Sequence, residues 1–257
     1  MTVSLLQDPR GGSTLKVIEA VQQGWQAFAR APWVFVGFTL LAGVLSGLCS
    51  LIQGQVDSDE AAVVTTVQMV RVVVGSILSV LVSLWSTTGL IRGAWSALEG
   101  EKPELGTFIR WDGTASWRLF RNGFVLGILF GVVLVVAALV GVAAAQLNQA
   151  LAVLPFLVAF AVLIYLAVNQ KFMAQIALLQ GLGPIESIAR GRSLLDPQWG
   201  TVLLLALVEF AIALVGLLAC VVGLLVAVPV ILCTSTAAYR QVFGSEDLTG
   251  LLVEPAA

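Results

Sequence analysis

Residues 33–52 read WVFVGFTLLAGVLSGLCSLI, a stretch of 20 residues without a charged side chain. At about 1.5 Å per residue, an α-helix of this length just crosses the hydrocarbon core of a bilayer. Further apolar segments occupy part of 61–91, then 124–145 and 151–168, and two more share 201–238 with a break near 218–223. The pattern predicts an all-α, polytopic membrane bundle of six transmembrane helices arranged in three hairpins.

The composition of the whole chain agrees with a membrane location. Of its 257 residues, 59% are hydrophobic and 11% are charged, whereas soluble domains carry about 25% charged residues. The net charge of −2 offers no basic surface for nucleic acid. Histidine is absent and the three cysteines form no ligand motif, so we expect no metal, no cofactor and no catalytic residue. These features exclude an ordinary soluble enzyme.

Basic residues predict the orientation of the six spans. Twelve of the 13 lysines and arginines fall in the two terminal segments and in the connections after spans two and four. By the positive-inside rule, both termini are then cytoplasmic, in a bacterial plasma membrane or an internal membrane. Arg71 is the one exception.

An interfacial helix is predicted before the first span. Residues 15–30 place Leu15, Ile18, Val21, Trp25 and Phe28 at helical spacing, with polar residues on the other face. Similar elbows precede spans three and five. We therefore expect one membrane domain over 1–257, with repeats at 14–106, 107–183 and 184–244 and flexible tails at 1–13 and 245–257. The elbow side chains expected at lipid headgroups are Trp25, Arg30, Trp33, Trp117, Arg118, Arg121, Arg190, Arg192 and Trp199.

Two sets of residues carry a resemblance to known proteins. They are GWQAF at 24–28 with APW at 31–33, and LLACVVG at 217–223 followed by Pro229 and AYRQVFG at 238–244. This pattern resembles a broad group of bacterial six-span integral membrane proteins related to the membrane domain of some glycerophosphodiester phosphodiesterases. The resemblance implies a six-helix membrane fold. It implies no activity, because the phosphodiesterase catalytic domain has no counterpart in these residues.

Small residues at intervals of four indicate close contacts between helices. In lipid, helices associate through close backbone approach and interhelical hydrogen bonds rather than through a hydrophobic drive. Such stripes either pack inside the bundle or form the interface of a homo-oligomer. They consist of Gly43 and Gly47 in span one, Gly75, Ser79 and Ser83 in span two, and Gly123, Gly127 and Gly131 in span three.

Glu209 is the one acidic residue in the middle of a span. A charged side chain at that depth costs roughly 2.5–3.5 kcal/mol on insertion scales, so it usually faces a partner or a cavity. If span two begins at Ala61, Arg71 lies deep enough to be the partner of Glu209, whereas if the span begins at Val72, Arg71 lies only at its outer boundary. In the first case the pair either locks the bundle or forms a polar centre that binds a cation or a polar solute.

The favoured function is a non-catalytic membrane scaffold or accessory protein that packs into an oligomer or onto a larger membrane complex. Its expected partners are membrane lipids and other membrane proteins or further copies of the chain. The alternative is a transporter or channel for a small solute or lipid, with its polar centre at Glu209 and Arg71.

Overall fold

The computed structural model describes residues 14–54 and 66–252, except for the side chains of Cys220 and Val221. The predicted tail at 1–13, the start of span two and the last five residues of the predicted C-terminal tail lie outside the described residues. The described helices are α1 (Val17–Arg30), α2 (Pro32–Gln53), α3 (Thr66–Leu98), α4 (Leu105–Ile109), α5 (Gly113–Leu147), α6 (Val153–Asn169), α7 (Met173–Gln175), α8 (Pro184–Leu195), α9 (Trp199–Leu218) and α10 (Cys220–Phe243).

Six helical stretches are long and apolar enough to cross a membrane. They confirm the prediction of an all-α protein with six spans, and residues 14–54 and 66–252 contain no strand. Helix α9 ends at Leu218 and α10 begins at Cys220, so the chain breaks inside the predicted interval of 218–223. The six stretches are Pro32–Gln53, Thr66–Leu98, Gly113–Leu147, Gln149–Asn169, Pro184–Leu218 and Val222–Phe243.

The spans differ in how much of their surface the protein itself covers. In the most apolar 18 residues of Thr66–Leu98, only 6% of the residues are buried, whereas in those of Val222–Phe243 the buried fraction is 56%. Valine, leucine and phenylalanine side chains cover most of the exposed part of the spans. An apolar surface of this extent is stable only in lipid. The chain is therefore an integral membrane protein.

The three predicted elbows take different forms. The first is a separate helix, because Ala31 leaves the helical conformation at φ −145° before Pro32 starts α2. The second elbow, around Trp117, is the beginning of α5 itself. The third is α8, which a short 3₁₀ turn at Asp196–Gln198 joins to α9. Proline explains the first break, since residues 113–123 contain none and continue as one helix.

The described chain forms two compact units. One, the 117–210 unit, contains Trp117–Phe210 together with the described residues up to Ala20 and from Ala238 onward. The other, the 21–116 unit, contains the described part of Val21–Ser116 together with Ala211–Ala237. This division does not follow the three repeats predicted from the sequence, and those repeats stay a prediction.

Aromatic rings fill the core of the 21–116 unit. Phe108 of α4 lies edge-on to Phe35, with ring centroids 5.0 Å apart, and 5.2 Å from Phe38. Gly89 of α3 makes room for this contact, because a Cβ there would lie 2.8 Å from the Phe38 ring. The indole of Trp85 donates to the carbonyl of Ile109 at 2.9 Å. Together these contacts fix the short helix α4 against α2 and α3.

Helix α1 is buried along its small residues. Ala20, Gly24 and Ala27 are buried at spacings of four and three, and a Cβ on Gly24 would lie 2.6 Å from Thr234 Cα. Ile18 and Trp25 are instead 76% and 54% exposed. The small residues thus contact the protein, while these two large residues of the predicted apolar face are exposed.

A C-terminal segment packs onto an irregular turn of the 117–210 unit. Helix α7 continues into a π-helical turn, Ile176–Gln180, which ends at Gly181 with φ 68°. Thr249 Oγ1 donates to the carbonyl of Leu178 at 2.7 Å, and Leu248 N donates to that of Leu179 at 2.9 Å. Residues 247–252 of the tail predicted at 245–257 thus make defined contacts with this turn, and its flexibility stays a prediction. Carbonyls at a helix end lack intrahelical donors, and this segment supplies two.

Candidate functional site

A buried ion pair joins Lys171 to Glu209 within the 117–210 unit. The ammonium of Lys171 contacts Oε2 of Glu209, and the two side chains are 14% and 8% exposed. Lys171 lies in the turn that follows α6, and Glu209 lies in the middle of α9. Two opposite charges of this burial compensate each other's loss of hydration. Of the ion pairs Lys16–Glu19, Lys171–Glu209 and Arg192–Asp196, this one is the most buried.

Asp196 positions the end of α6 and hence the turn that carries Lys171. Its Oδ1 accepts hydrogen bonds from Asn169 Nδ2 at 2.8 Å and from the Tyr165 hydroxyl at 2.9 Å. The contact is close because Gly191 of α8 lies against Asn169, where an added Cβ would be 2.7 Å from the Asn169 carbonyl oxygen. The residues after Asn169 then leave the α6 helix and bring Lys171 to α9.

The partner that the structure gives Glu209 is Lys171, whereas the candidate from the sequence is Arg71. Arg71 belongs to the 21–116 unit, where its Nε donates to the carbonyl of Ile52 at 3.2 Å. Lys171 is not among the partners considered from the sequence, because it lies just after the predicted end of span four at residue 168. The turn after Asn169 depends on Asp196, and hydropathy along the chain carries no signal for that contact.

Only one of the two carboxylate oxygens of Glu209 has a hydrogen-bond partner among the described residues. Oε2 contacts Lys171, while Oε1 is buried and has no hydrogen-bond partner among the described residues. The amide oxygens of Asn169 and Gln170 are buried in the same way. Chemically, the pair locks α9 to the end of α6 and keeps one acceptor available for a polar group or a cation.

The small-residue stripes fall into two classes. In α3, a Cβ on Gly75 would lie 3.1 Å from the Cys49 carbonyl oxygen, and Ser79 accepts a hydrogen bond from Gln53 at 3.0 Å. This end of α3 therefore packs closely against α2. Ser83 lies on the same helix, and its carbonyl accepts from Ser86. The glycines of the other stripes are open, because a Cβ on any of them would meet no atom of residues 14–54 or 66–252 within 4 Å. These glycines are Gly43, Gly47, Gly123, Gly127 and Gly131.

The residues predicted at headgroup level are mostly exposed. Arg30 donates through Nη1 to the carbonyl of Ala97 at the end of α3. Arg192 lies 3.8 Å from Asp196. Arg118 and Trp199 are half-buried. Their contact with lipid stays a prediction. The exposed members of the set are Trp25, Arg30, Trp33, Trp117, Arg121, Arg190 and Arg192.

Arg92 is a buried cation that the sequence analysis missed. It is 2% exposed, and its Nη1 donates to the carbonyls of Thr107 at 3.1 Å and Arg110 at 3.0 Å. The sequence counts it only among the basic residues near the second connection. Its position between Gly89 and Gly93 in an otherwise apolar run was the available signal, because glycines at that spacing indicate a face packed against protein.

Two cavities in the described residues are lined almost entirely by apolar side chains. One, of about 640 Å³, lies between α5 and α6 and includes Val136, Ala137 and Val158. The other, of about 410 Å³, lies in the 21–116 unit beside Trp25 and Gly216. Neither cavity includes Glu209 or Lys171 among its lining residues. Both are suited to hydrocarbon and offer no polar path.

Comparisons with known proteins do not relate this fold to a family. The resemblance drawn from the elbow and from the last span thus remains an expectation. No family model, no curated protein and no solved structure matches the chain.

Proposed function

We propose that the chain is a non-catalytic integral membrane scaffold or accessory protein that associates with other transmembrane helices. The glycine stripes of α5 and α2 form the proposed contact faces, against a second copy of the chain or another membrane protein. The observation that carries the proposal is the open space at Gly123, Gly127 and Gly131, where an added Cβ would meet no described atom within 4 Å.

Glycine in the interior of a helix needs a reason. Each one destabilises a helix by roughly 0.5–1 kcal/mol relative to alanine. Elsewhere in the chain that cost is offset by close packing: a Cβ on Gly216 of α9 would lie 2.6 Å from the Cβ of Ala227 in α10. The three aligned glycines of α5 have no such contact in the described chain. A partner helix laid along them supplies it, as in other membrane proteins with this motif.

Finer features of the topology belong to the same proposal. The distribution of basic residues supports three hairpins with both termini on the cytoplasmic side of a bacterial plasma or internal membrane. The exposed Ile18 and Trp25 of α1, followed by the exposed Trp33 at the start of α2, support a helix that lies in the interface. Membership of the six-span group that the sequence resembles is part of this proposal.

Replacing a central glycine of the stripe tests the proposed association. We expect Gly127→Leu to shift the wild-type oligomer towards the monomer, measured by light scattering in detergent and by energy transfer between labelled chains in vesicles. Gly37→Leu is the matched control, because Gly37 is also open but does not belong to a stripe of glycines four residues apart.

A photo-crosslinker at position 127 tests whether the partner is a different membrane protein rather than a second copy of the chain. In native membranes, an adduct with another copy or with a different membrane protein supports the proposal. A monomer at every protein-to-lipid ratio, combined with a crosslinker that reacts with lipid alone, contradicts it.

A second candidate is a transporter or channel for a small solute or lipid with its polar centre at Glu209. The buried pair with Lys171 and the unpartnered Oε1 favour it. The test is solute flux in reconstituted vesicles, compared between wild type and Glu209→Gln. Flux that the substitution abolishes supports this candidate, and wild-type vesicles no leakier than empty ones contradict it.

A further inference from the structure

Arg92 is a buried cation without an opposite charge at ion-pair distance. None of the ion pairs Lys16–Glu19, Lys171–Glu209 and Arg192–Asp196 includes Arg92. The side chain is 2% exposed in the 21–116 unit. A buried charge without a counter-charge is costly, so an enclosed guanidinium calls for an anionic partner.

Of the three guanidinium nitrogens of Arg92, only Nη1 makes hydrogen bonds with the described residues. Nη1 donates to the carbonyls of Thr107 and Arg110, at the two sides of the C-terminal end of α4. Nε and Nη2 are buried and have no hydrogen-bond partner among the described residues. The two bonds at Nη1 fix the plane of the group, and three N–H donors at the other two nitrogens remain unused.

The unused nitrogens share one edge of the guanidinium. The N–H of Nε and one N–H of Nη2 point in the same direction, and this fork matches two oxygens of a phosphate or a carboxylate. Because the bonds at Nη1 already orient the plane, little side-chain freedom is lost when an anion binds. The geometry is that of a preorganised anion receptor.

Arg92 lies near the C-terminal end of α3, which ends at Leu98, and we expect this position to bring the fork to the level of lipid headgroups. With 33 residues, α3 is about 50 Å long, roughly 20 Å longer than the hydrocarbon core. Part of the helix therefore lies beyond the core. Residues 88–95 around Arg92 are buried by protein, while the nearby Trp111 is 53% exposed, as is typical of tryptophan at a membrane interface. The anion concentrated at that level is the phosphate of a phospholipid.

The neighbouring charges leave the fork available. Arg110 and Asp112 are the charged groups that act on Arg92. Oδ1 of Asp112 accepts from Ala115 N at 2.9 Å at the start of α5, and Asp112 forms no ion pair with Arg92. Arg110 adds a second positive charge beside the site. The surroundings therefore favour an added anion.

We propose that Arg92 binds the phosphate group of a phospholipid through Nε and Nη2. This site is separate from the glycine stripes and does not depend on the scaffold role. Both nitrogens are enclosed, so binding of the phosphate requires the protein to open locally around Arg92. The bound lipid is accordingly expected to exchange slowly and to remain attached during purification.

Retained phospholipid is the direct test. After washing in lipid-free detergent, the wild-type protein is expected to keep about one phospholipid per chain, as one fork binds one phosphate, measured by phosphorus analysis and native mass spectrometry. Arg92→Lys keeps the charge but loses the fork, and we expect about tenfold weaker retention. Arg71→Lys is the matched control, because Arg71 also lies on α3 and donates to a backbone carbonyl but is exposed.

Rebinding to delipidated wild-type protein separates the sources of phosphate. Phosphatidylglycerol is expected to raise the melting temperature, whereas diacylglycerol, which lacks the phosphate, does not. Equal effects of the two lipids overturn the phosphate contact, and an effect of inorganic phosphate without one of phosphatidylglycerol overturns the lipid as ligand. Unchanged retention in Arg92→Lys also overturns the proposal. If that variant does not fold, the comparison of the two lipids on wild type decides.

Discussion

The ammonium of Lys171 contacts the carboxylate of Glu209 and so links the turn after α6 to the middle of α9. Removing one partner leaves the other charge buried alone, at a cost of about 3–5 kcal/mol. We expect Glu209→Leu and Lys171→Met each to lower the stability in detergent by about that amount. The double variant is expected to lose much less than the sum, because it buries no lone charge.

A double-mutant cycle of unfolding free energies measures this coupling. The exposed pair Lys16–Glu19 provides the control, since its side chains are 71% and 48% exposed and such pairs contribute about 0.2–1 kcal/mol. Additive losses at Lys171 and Glu209 would show that the two charges do not stabilise each other.

Gly24 tests the packing of α1 against α10. An added Cβ would lie 2.6 Å from the Cα and from the N of Thr234, and backbone atoms do not move aside easily. We expect Gly24→Ala to destabilise the protein by about 1–3 kcal/mol through overpacking. Gly37→Ala, which meets no described atom within 4 Å, is expected to stabilise α2 slightly through its higher helix propensity. Melting temperatures of the two variants check the difference, and equal changes would argue against the close contact.

Phe108 is expected to carry much of the core of the 21–116 unit. Its ring contacts Phe35 and Phe38 and is fully buried. Phe108→Ala removes these contacts and leaves a cavity, which typically costs about 3–5 kcal/mol. Ile109→Ala, at the next and half-exposed position, serves as the comparison. A loss at Phe108 no greater than at Ile109 would contradict the role of α4 as a core element.

Asp247 is expected to hold the C-terminal segment on the π-helical turn. Its Oδ1 accepts a hydrogen bond from the N of Thr249 at 2.9 Å, and its Oδ2 accepts from Leu252 N at 2.8 Å. We expect Asp247→Ala to cost about 1–3 kcal/mol and to speed proteolysis after Gly244. Glu246→Gln changes an exposed neighbour and should leave the rate of cleavage unchanged. Equal cleavage of the two variants would show that these bonds do not hold the segment.

Local sequence patterns suffice for the spans. Each span satisfies its backbone hydrogen bonds within its own helix, so a run such as residues 33–52 is recognisable without knowledge of its neighbours. The break between α9 and α10 is equally local. The apolar stretch 201–238 is too long for one crossing of the bilayer, and the chain turns at Ala219. These elements depend on length and hydropathy alone.

The contacts of the polar groups depend instead on residues far apart in sequence. Lys171 contacts Glu209 from a turn that follows Asn169, and Asn169 donates to Asp196 of the 3₁₀ turn before α9. Thr249 finds its acceptor at Leu178, more than seventy residues earlier. Hydropathy and helical spacing describe single segments, and neither indicates which segments meet. The partner of Glu209 and the placement of 247–252 were therefore outside the reach of the sequence.

The 117–210 unit is built from three separate parts of the chain, and this has a consequence for synthesis and membrane insertion. The unit combines the described residues up to Ala20, the segment Trp117–Phe210 and the described residues from Ala238 onward. Its first residues therefore leave the ribosome long before Thr249 and Leu248, which complete the hydrogen bonding of Leu178 and Leu179. During translation, the carbonyls of Leu178 and Leu179 therefore lack these two donors until α9 and α10 have been synthesised. Late closure of this kind makes the turn a place where a translocation partner or chaperone has time to act before the fold is complete.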